Sequence, residues 1–251
     1  MPKDSLRVGE ADAGARRALE QDLGVRTFAD NEGAVREADV VLLAVKPQDT
    51  GTVLSALRPE LARRPRLLIS VAAGIQIRSL ESWCGEGCAV VRAMPNRPAL
   101  VGAGATGVYA SSGVSASQKE LAEHILQAVG AVVWLKAESD LDVVTALSGS
   151  GPAYFFLLAE LMMQSAVALG LEPAAARELA VATLHGAGVL AHASDADLAR
   201  LRAEVTSKGG TTEAALAELA GPAGINPVVE RALAAATRRS RELAAKFGGR
   251  E

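Results

Sequence analysis

The sequence predicts a parallel α/β sheet in its first half and an all-helical bundle in its second. Three observations predict it. From residue 6 to about 135, short β-branched runs alternate with amphipathic stretches, the rhythm of βαβ units. After residue 139 the alternation stops and helix-forming residues run on, punctuated at Pro152, Gly170, Pro173, Gly209-Gly210 and Gly221-Pro222. Aromatics are 3% of a chain that is 49% apolar, so the interior is built from Ala, Val and Leu, which suits close-packed helices and parallel strands. The domains read as 1–138 and 139–251, divided near 136–141 where strand periodicity gives way.

In chain order, a strand at 6–9 leads to a helix over 12–21, a strand at 25–28 and a short helix over 32–37. The run Val40-Val41-Leu42-Leu43-Ala44-Val45 is apolar on both faces, so the strand at 39–45 is expected to be central, with helices covering each side. A helix over 49–62, a strand at 66–71, a helix over 77–84 and a strand at 89–93 follow. Strands at 106–109 and 131–135 flank a helix over 116–128. The bundle helices read as 154–169, 173–192, 195–204, 212–219 and 226–245, the last ending among Arg238, Arg239, Arg241 and Lys246, cations suited to a helix C-terminus. The longest apolar stretch, 153–171, is interrupted by Glu160, Gln164 and Ser165 and has no basic flank, so it reads as a buried bundle helix rather than a membrane span.

Charge and composition exclude several functions. With 26 Lys and Arg against 29 Asp and Glu, the net charge of −3 offers no basic field for nucleic acid. The opening Met-Pro-Lys-Asp-Ser lacks the apolar run of a secretory signal. Cys84 and Cys88 have no second ligand pair, and His185 and His192, seven apart on one helix, read as packing or surface residues, so no metal is expected. A reduced, cytoplasmic protein is the expectation.

Three segments carry chemistry. Ala44-Val45-Lys46-Pro47-Gln48 follows a strand directly, where ligands of open parallel sheets bind, and Pro47 turns the chain out to leave Val45 and Lys46 at the crevice. Met94-Pro95-Asn96 repeats the device, though each alone is also an ordinary loop. Val205-Thr206-Ser207-Lys208-Gly209-Gly210-Thr211-Thr212-Glu213 places two glycines and several hydroxyls at a helix start. A well-capped helix would explain it. The density of exposed amides and hydroxyls instead suits a carboxylate with a neighbouring polar atom, as in a small amino or imino acid.

These segments, with Leu147-Ser148-Gly149-Ser150-Gly151-Pro152-Ala153-Tyr154 opening a long helix, stand in the order found in pyrroline-5-carboxylate reductases, and the chain resembles that family over nearly its whole length. The resemblance implies a Rossmann-like α/β domain followed by a helical domain for substrate binding and dimerisation, and NAD(P)H-dependent reduction of 1-pyrroline-5-carboxylate to L-proline. It implies that Asn31, Ala44, Val45, Lys46 and Pro47 line NADPH or NADH, with Met94, Pro95 and Asn96 near the nicotinamide. Ser207, Gly210, Thr211 and Thr212 would hold the substrate, Thr212 serving the ring nitrogen, and Asp195 stands roughly where some relatives place an acid. A homodimer or higher oligomer is implied, with neither nucleic acid nor membrane as partner.

The departures matter too. The family's first strand, its Gly-x-Gly-x-Met-Ala loop and the following helix have no counterpart before residue 6, so the strands at 6–9 and 39–45 are expected to lack a partner between them and the pyrophosphate to be poorly cradled. Lys208 stands where proline is usual and Arg97 where threonine is usual. Glu10, ending a strand, favours a free ribose and hence NADH, whereas Arg16, Arg17 and Asn31 could serve NADPH. Two alternatives stay open at this point: a small hydroxy-acid dehydrogenase, and a catalytically impaired chain serving as a helical dimerisation module.

Overall fold

The structure is a computed structural model describing residues 3–85 and 88–247; Glu86 and Gly87 of the Cys84–Cys88 segment lie outside the described residues. Two compact units form: residues 1–149 with 237–251, and residues 150–236.

In the first unit, β1 (Arg7–Gly9) and β2 (Arg26–Phe28) pair in parallel through α1 (Ala13–Leu23), which Asp12 caps by accepting the Ala15 N–H. The chain continues through α2 (Asn31–Val35), β3 (Val40–Leu43), α3 (Thr50–Leu61), β4 (Arg66–Ser70), α4 (Ile77–Cys84), β5 (Cys88–Met94), β6 (Gly104–Ala110), α5 (Ala116–Gln127) and β7 (Gly130–Trp134). The latter strands form a second sheet in the order β3-β4-β5-β6-β7. Every residue of β4 is buried, and its side chains alternate between two cores. Leu68 packs with Val41, Leu43, Leu54, Leu57, Leu80 and Val90 on one face. Leu67 and Ile69 pack with Val91, Val108, Ala122 and Leu126 on the other.

Two expectations about the sheet need correction. The strand at 39–45 is not central: β3 is an edge of the five-stranded sheet, and Leu42 is 51% exposed. The expected gap accounts for this, since β1 pairs only with β2 and β3 only with β4, leaving the facing edges without a strand among the described residues. The sheet is also not wholly parallel, because β5 and β6 pair antiparallel, Met94 opposite Gly107. Only residues 95–103 separate these strands, too few for the crossover that a parallel pair requires.

β7 ends at Trp134 and helix resumes at Asp140, while the first unit runs on to Gly149. A short helix unforeseen from sequence, α6 (Asp140–Val144), buries Leu141 and packs on β6, and a π-helical turn at Thr145–Gly149 follows. The end of α11 (Asn226–Phe247) also belongs to this unit: Ser240 Oγ donates to Asp142 Oδ1 at 2.7 Å, and Phe247 lies against the first core.

The second unit comprises α7 (Gly151–Ala168), α8 (Pro173–Ala193), α9 (Leu198–Glu204), α10 (Thr211–Leu219) and the first part of α11, with α7 packed on α8. The apolar helix expected to be buried is not. Phe155, Phe156, Leu161 and Met162 of α7 are 58%, 63%, 50% and 51% exposed. The helical run Asp140–Ala168 is long and apolar enough to cross a membrane by length and composition, with 17% of its most apolar window buried. A helix apolar around its whole circumference needs packing surface on more than one side, and one copy of this chain supplies too little.

Candidate active site

In the first unit, Leu43 lies opposite Ser70 and Ser70 opposite Arg92, so the chain leaves β3, β4 and β5 at one edge of the sheet. The exits are 44–47, 71–74 and 94–96. A strand spacing of about 4.8 Å sets the outer two roughly 10 Å apart. At the first exit Ala44 and Lys46 are exposed and Val45 packs on the core. Pro47 opens a 3-10 turn in which the Lys46 carbonyl accepts from Asp49 N–H at 3.0 Å and Thr50 Oγ1 at 3.2 Å. The middle exit, Val71-Ala72-Ala73-Gly74, is closed, with Ala72 in the core and Gly74 seated against the backbone of Ala244.

Asn31 is the exposed first residue of α2, whose N-cap Asp30 accepts from Gly33 N–H at 2.6 Å. Gly9 ends β1 directly beneath it, where a Cβ would stand 2.5 Å from Asn31 Oδ1. The far end of α2 is held by the buried Arg66, whose Nη1 donates to Val35 O and Nη2 to Arg36 O, both at 3.1 Å. Arg66 Nη2 also meets buried Glu60 Oε1 at 3.3 Å. Glu10 is occupied locally: its Oε1 accepts from Asp12 N–H at 2.8 Å, and Arg16 Nη1 donates to the carbonyls of Glu10 and Ala11 at 2.7 and 2.8 Å.

At the third exit Met94, Pro95 and Asn96 are half-buried and Arg97 is exposed. Asn96 Nδ2 donates to Ser148 O at 2.9 Å while its Oδ1 accepts from Ala105 N–H at 2.8 Å. Both partners are backbone groups of fixed polarity, which settles the carboxamide's orientation. A Cβ on Gly149 would lie 3.0 Å from Met94 Cε, so glycine lets this turn seat closely.

In the second unit, the segment 207–212 is a turn followed by a helix start. Gly210 N–H donates to Ser207 O at 3.0 Å, Gly209 sits at φ +73°, and Gly209 N–H donates to Glu213 Oε2 at 2.7 Å. Ser207 and Thr211 are exposed, Gly210 and Thr212 half-buried, and Lys208 extends into solvent. Asp12, Asp30, Ser115, Glu172 and Asp197 each accept a backbone N–H at the start of their helices, whereas α10, with Gly210 as N-cap, has no side-chain capping bond, as is also true of α3, α4, α6 and α7. Its first amides therefore keep the capacity to bind an anion. Asp195 is exposed and does not cap α9; Asp197 does, accepting from Arg200 N–H at 2.7 Å.

Elsewhere, the Cys84 and Cys88 thiols are hydrogen-bonded to one another, which pushes buried Cys84 up and holds Cys88 below the usual thiol range. His124, His185 and His192 are exposed, and among the described residues no three His, Cys, Asp or Glu side chains cluster as metal ligands. Two groups of residues fit the two ends of a dinucleotide: the glycine-cleared turn beneath the exposed Asn31, and the half-buried Met94-Pro95-Asn96 turn.

A family model described as pyrroline-5-carboxylate reductase dimerisation matches residues 138–243, and one described as NADP oxidoreductase, coenzyme F420-dependent, matches residues 3–74. The pyrroline-5-carboxylate reductase of Pseudomonas aeruginosa is 44% identical over 248 residues, covering 99% of this chain and 90% of its own length. That of Corynebacterium melassecola is 40% identical over 245 residues, 97% of this chain and 90% of its own. Among solved structures, a pyrroline-5-carboxylate reductase from Coxiella burnetii aligns at a TM-score of 0.92 and 39% identity, covering 96% of this chain and 89% of that one. The Plasmodium falciparum pyrroline carboxylate reductase, solved with NADP bound, aligns at 0.76 and 31% identity over 88% and 82%.

Proposed function

We infer, from the premise that this chain belongs to the pyrroline-5-carboxylate reductase family, how its residues divide the work of that reaction. The chain reduces 1-pyrroline-5-carboxylate to L-proline with NAD(P)H, the last step of proline biosynthesis. NAD(P)H, when bound, supplies the hydride that adds to the ring C=N carbon. Asn31, Ala44, Val45, Lys46 and Pro47 line the cofactor, and Met94, Pro95 and Asn96 lie beside its nicotinamide.

Ser207, Gly210, Thr211 and Thr212 hold the imino acid. The Thr211 and Thr212 amides take its carboxylate, favoured there by the positive end of the helix. The Thr212 hydroxyl hydrogen-bonds the ring nitrogen, directly or through water, and keeps a proton in place on it as the double bond is lost. Asp195, exposed and free of a capping role, is the acidic candidate near that nitrogen. The observation that carries this reading is the start of α10, built from glycine and hydroxyls with no side chain capping its amides.

The test is oxidation of NADPH or NADH by the full chain, dependent on added pyrroline-5-carboxylate. A hydrogen bond to a charged group contributes about 1.5–3 kcal/mol, so Thr212→Val should lower kcat/KM by about 10- to 150-fold. Undiminished turnover in that variant would remove Thr212 from the mechanism, and no imine-dependent oxidation by the unaltered chain would overturn the assignment. The exposed faces of α7 and α8 are buried against a second copy, giving a homodimer able to associate further, and the protein works in the cytoplasm without a nucleic-acid or membrane partner.

A further inference from the structure

We propose that Asn96 is a positioning residue that supplies the backbone hydrogen bond Pro152 cannot make, and so ties the Met94-Pro95-Asn96 turn to the break between the π-helical turn and the long helix. The inference rests on the reading that this turn lies beside the nicotinamide. It begins with a deficit written in the sequence. In a continuous helix the carbonyl of Ser148 would accept from the N–H of the residue four positions on, which is Pro152 and has none. The backbone does continue helically there, since Ser150 sits at φ −87°, ψ −20° and α7 starts at Gly151. Ser148 O is thus an orphan created by proline, and the donor that reaches it is Asn96 Nδ2, 2.9 Å away and 52 residues distant in sequence.

The carboxamide's other end makes the arrangement specific. Asn96 Oδ1 accepts from Ala105 N–H at 2.8 Å, so one side chain joins the start of β6, the turn after β5 and the helix break. Glycine at 149 leaves room at the same junction, since a Cβ there would stand 3.0 Å from Met94 Cε. The helix around the break is loosened by its own hydroxyls, Thr145 Oγ1 donating to Leu141 O at 2.7 Å and Ser148 Oγ to Val144 O at 3.1 Å. π-Helical turns of this kind recur at functional sites because they leave backbone groups open to partners outside the helix. Aspartate at 96 would keep the acceptor for Ala105 but set a carboxylate oxygen against the Ser148 carbonyl.

A double-substitution cycle in the full chain tests this. Asn96→Asp should lower kcat by roughly tenfold or more, as expected for an unsatisfied carbonyl, while the KM for NADPH changes by less than about twofold. Amide exchange across 145–150 and at Ala105 should quicken in the same variant, a readout needing neither cofactor nor turnover. Pro152→Ala returns an N–H to the helix and should leave both readouts near those of the parent chain. The double variant should recover most of what Asn96→Asp loses. If the two substitutions act independently in exchange, or if Asn96→Asp raises the KM for NADPH with exchange unchanged, Asn96 is a direct cofactor ligand or incidental and the proposal is overturned. Should Asn96→Asp fail to fold, recovery of folded protein in the double variant supports the proposal and its absence overturns it. A parent chain that shows the exchange coupling but no imine-dependent turnover would refute the functional reading alone.

Discussion

Gly210→Ala puts the substrate turn itself on trial. A Cβ at residue 210 would stand 2.4 Å from Ser207 Oγ and 3.0 Å from Ser207 O. The backbone tolerates alanine there, since Gly210 has φ −85° and ψ 172°, so the whole perturbation is steric and falls on Ser207. The hydroxyl can rotate away, but the carbonyl accepts the Gly210 N–H at 3.0 Å and cannot retreat without opening the turn. Overpacking of this kind costs about 1–3 kcal/mol, which corresponds to about 5- to 150-fold in an equilibrium constant. The cost should appear in the KM for pyrroline-5-carboxylate, followed through the absorbance of the reduced nicotinamide, with the KM for NADPH unaltered. Adding Ser207→Gly removes the nearer clash and should restore the amide protection of the turn, while the contact of the Ser207 hydroxyl with the imino acid stays lost. An imine KM within twofold of the parent value, with the turn intact by amide exchange, would show that the substrate does not use these amides.

Three other consequences can be checked separately. Arg66→Met strips the last carbonyls of α2 of their donors and leaves Glu60 buried beside only the largely exposed Arg63, so urea denaturation should report a loss of about 3–5 kcal/mol; a loss under about 1 kcal/mol would mean the pair is incidental. Cys88, held below the usual thiol range by the Cys84 hydrogen bond, is the thiolate at lower pH, so limited alkylation near neutral pH mapped by peptide mass should label Cys88 before Cys84, and the reverse order would contradict the arrangement. Phe156→Asp places a charge on the 63%-exposed apolar face of α7 and should halve the mass seen by sedimentation at micromolar protein; an unchanged mass would put the dimer contact elsewhere.

Much of the fold was legible because period and punctuation are local properties. The helix at 77–84 and the start of the helix at Pro173 fall where the sequence put them, and the other expected elements lie within a few residues, while α6 had no counterpart among them. What escaped depends on partners far along the chain. Apolarity on both faces of 40–45 describes a strand that expects neighbours, not one that has them, and β3 stands at an edge. The antiparallel turn between β5 and β6 was readable in principle, from a connection too short to cross over. The exposure of α7 was not, because composition cannot distinguish a core within one chain from a core shared with another.

The site divides along the same line. Ser207, Gly210, Thr211 and Thr212 were singled out because glycine and hydroxyls before a helix advertise free amides, and their proposed role rests on a helix start without a side-chain cap. In a reduction where the nucleophile is a hydride and the electrophile a C=N carbon, orientation and a few neutral donors do what a tuned acid or base does elsewhere. Such a site relies on backbone placed correctly. Its sensitive positions therefore include residues that hold turns in register, such as Asn96 opposite a proline-made orphan carbonyl, and motif spacing alone does not separate these from residues that touch a ligand.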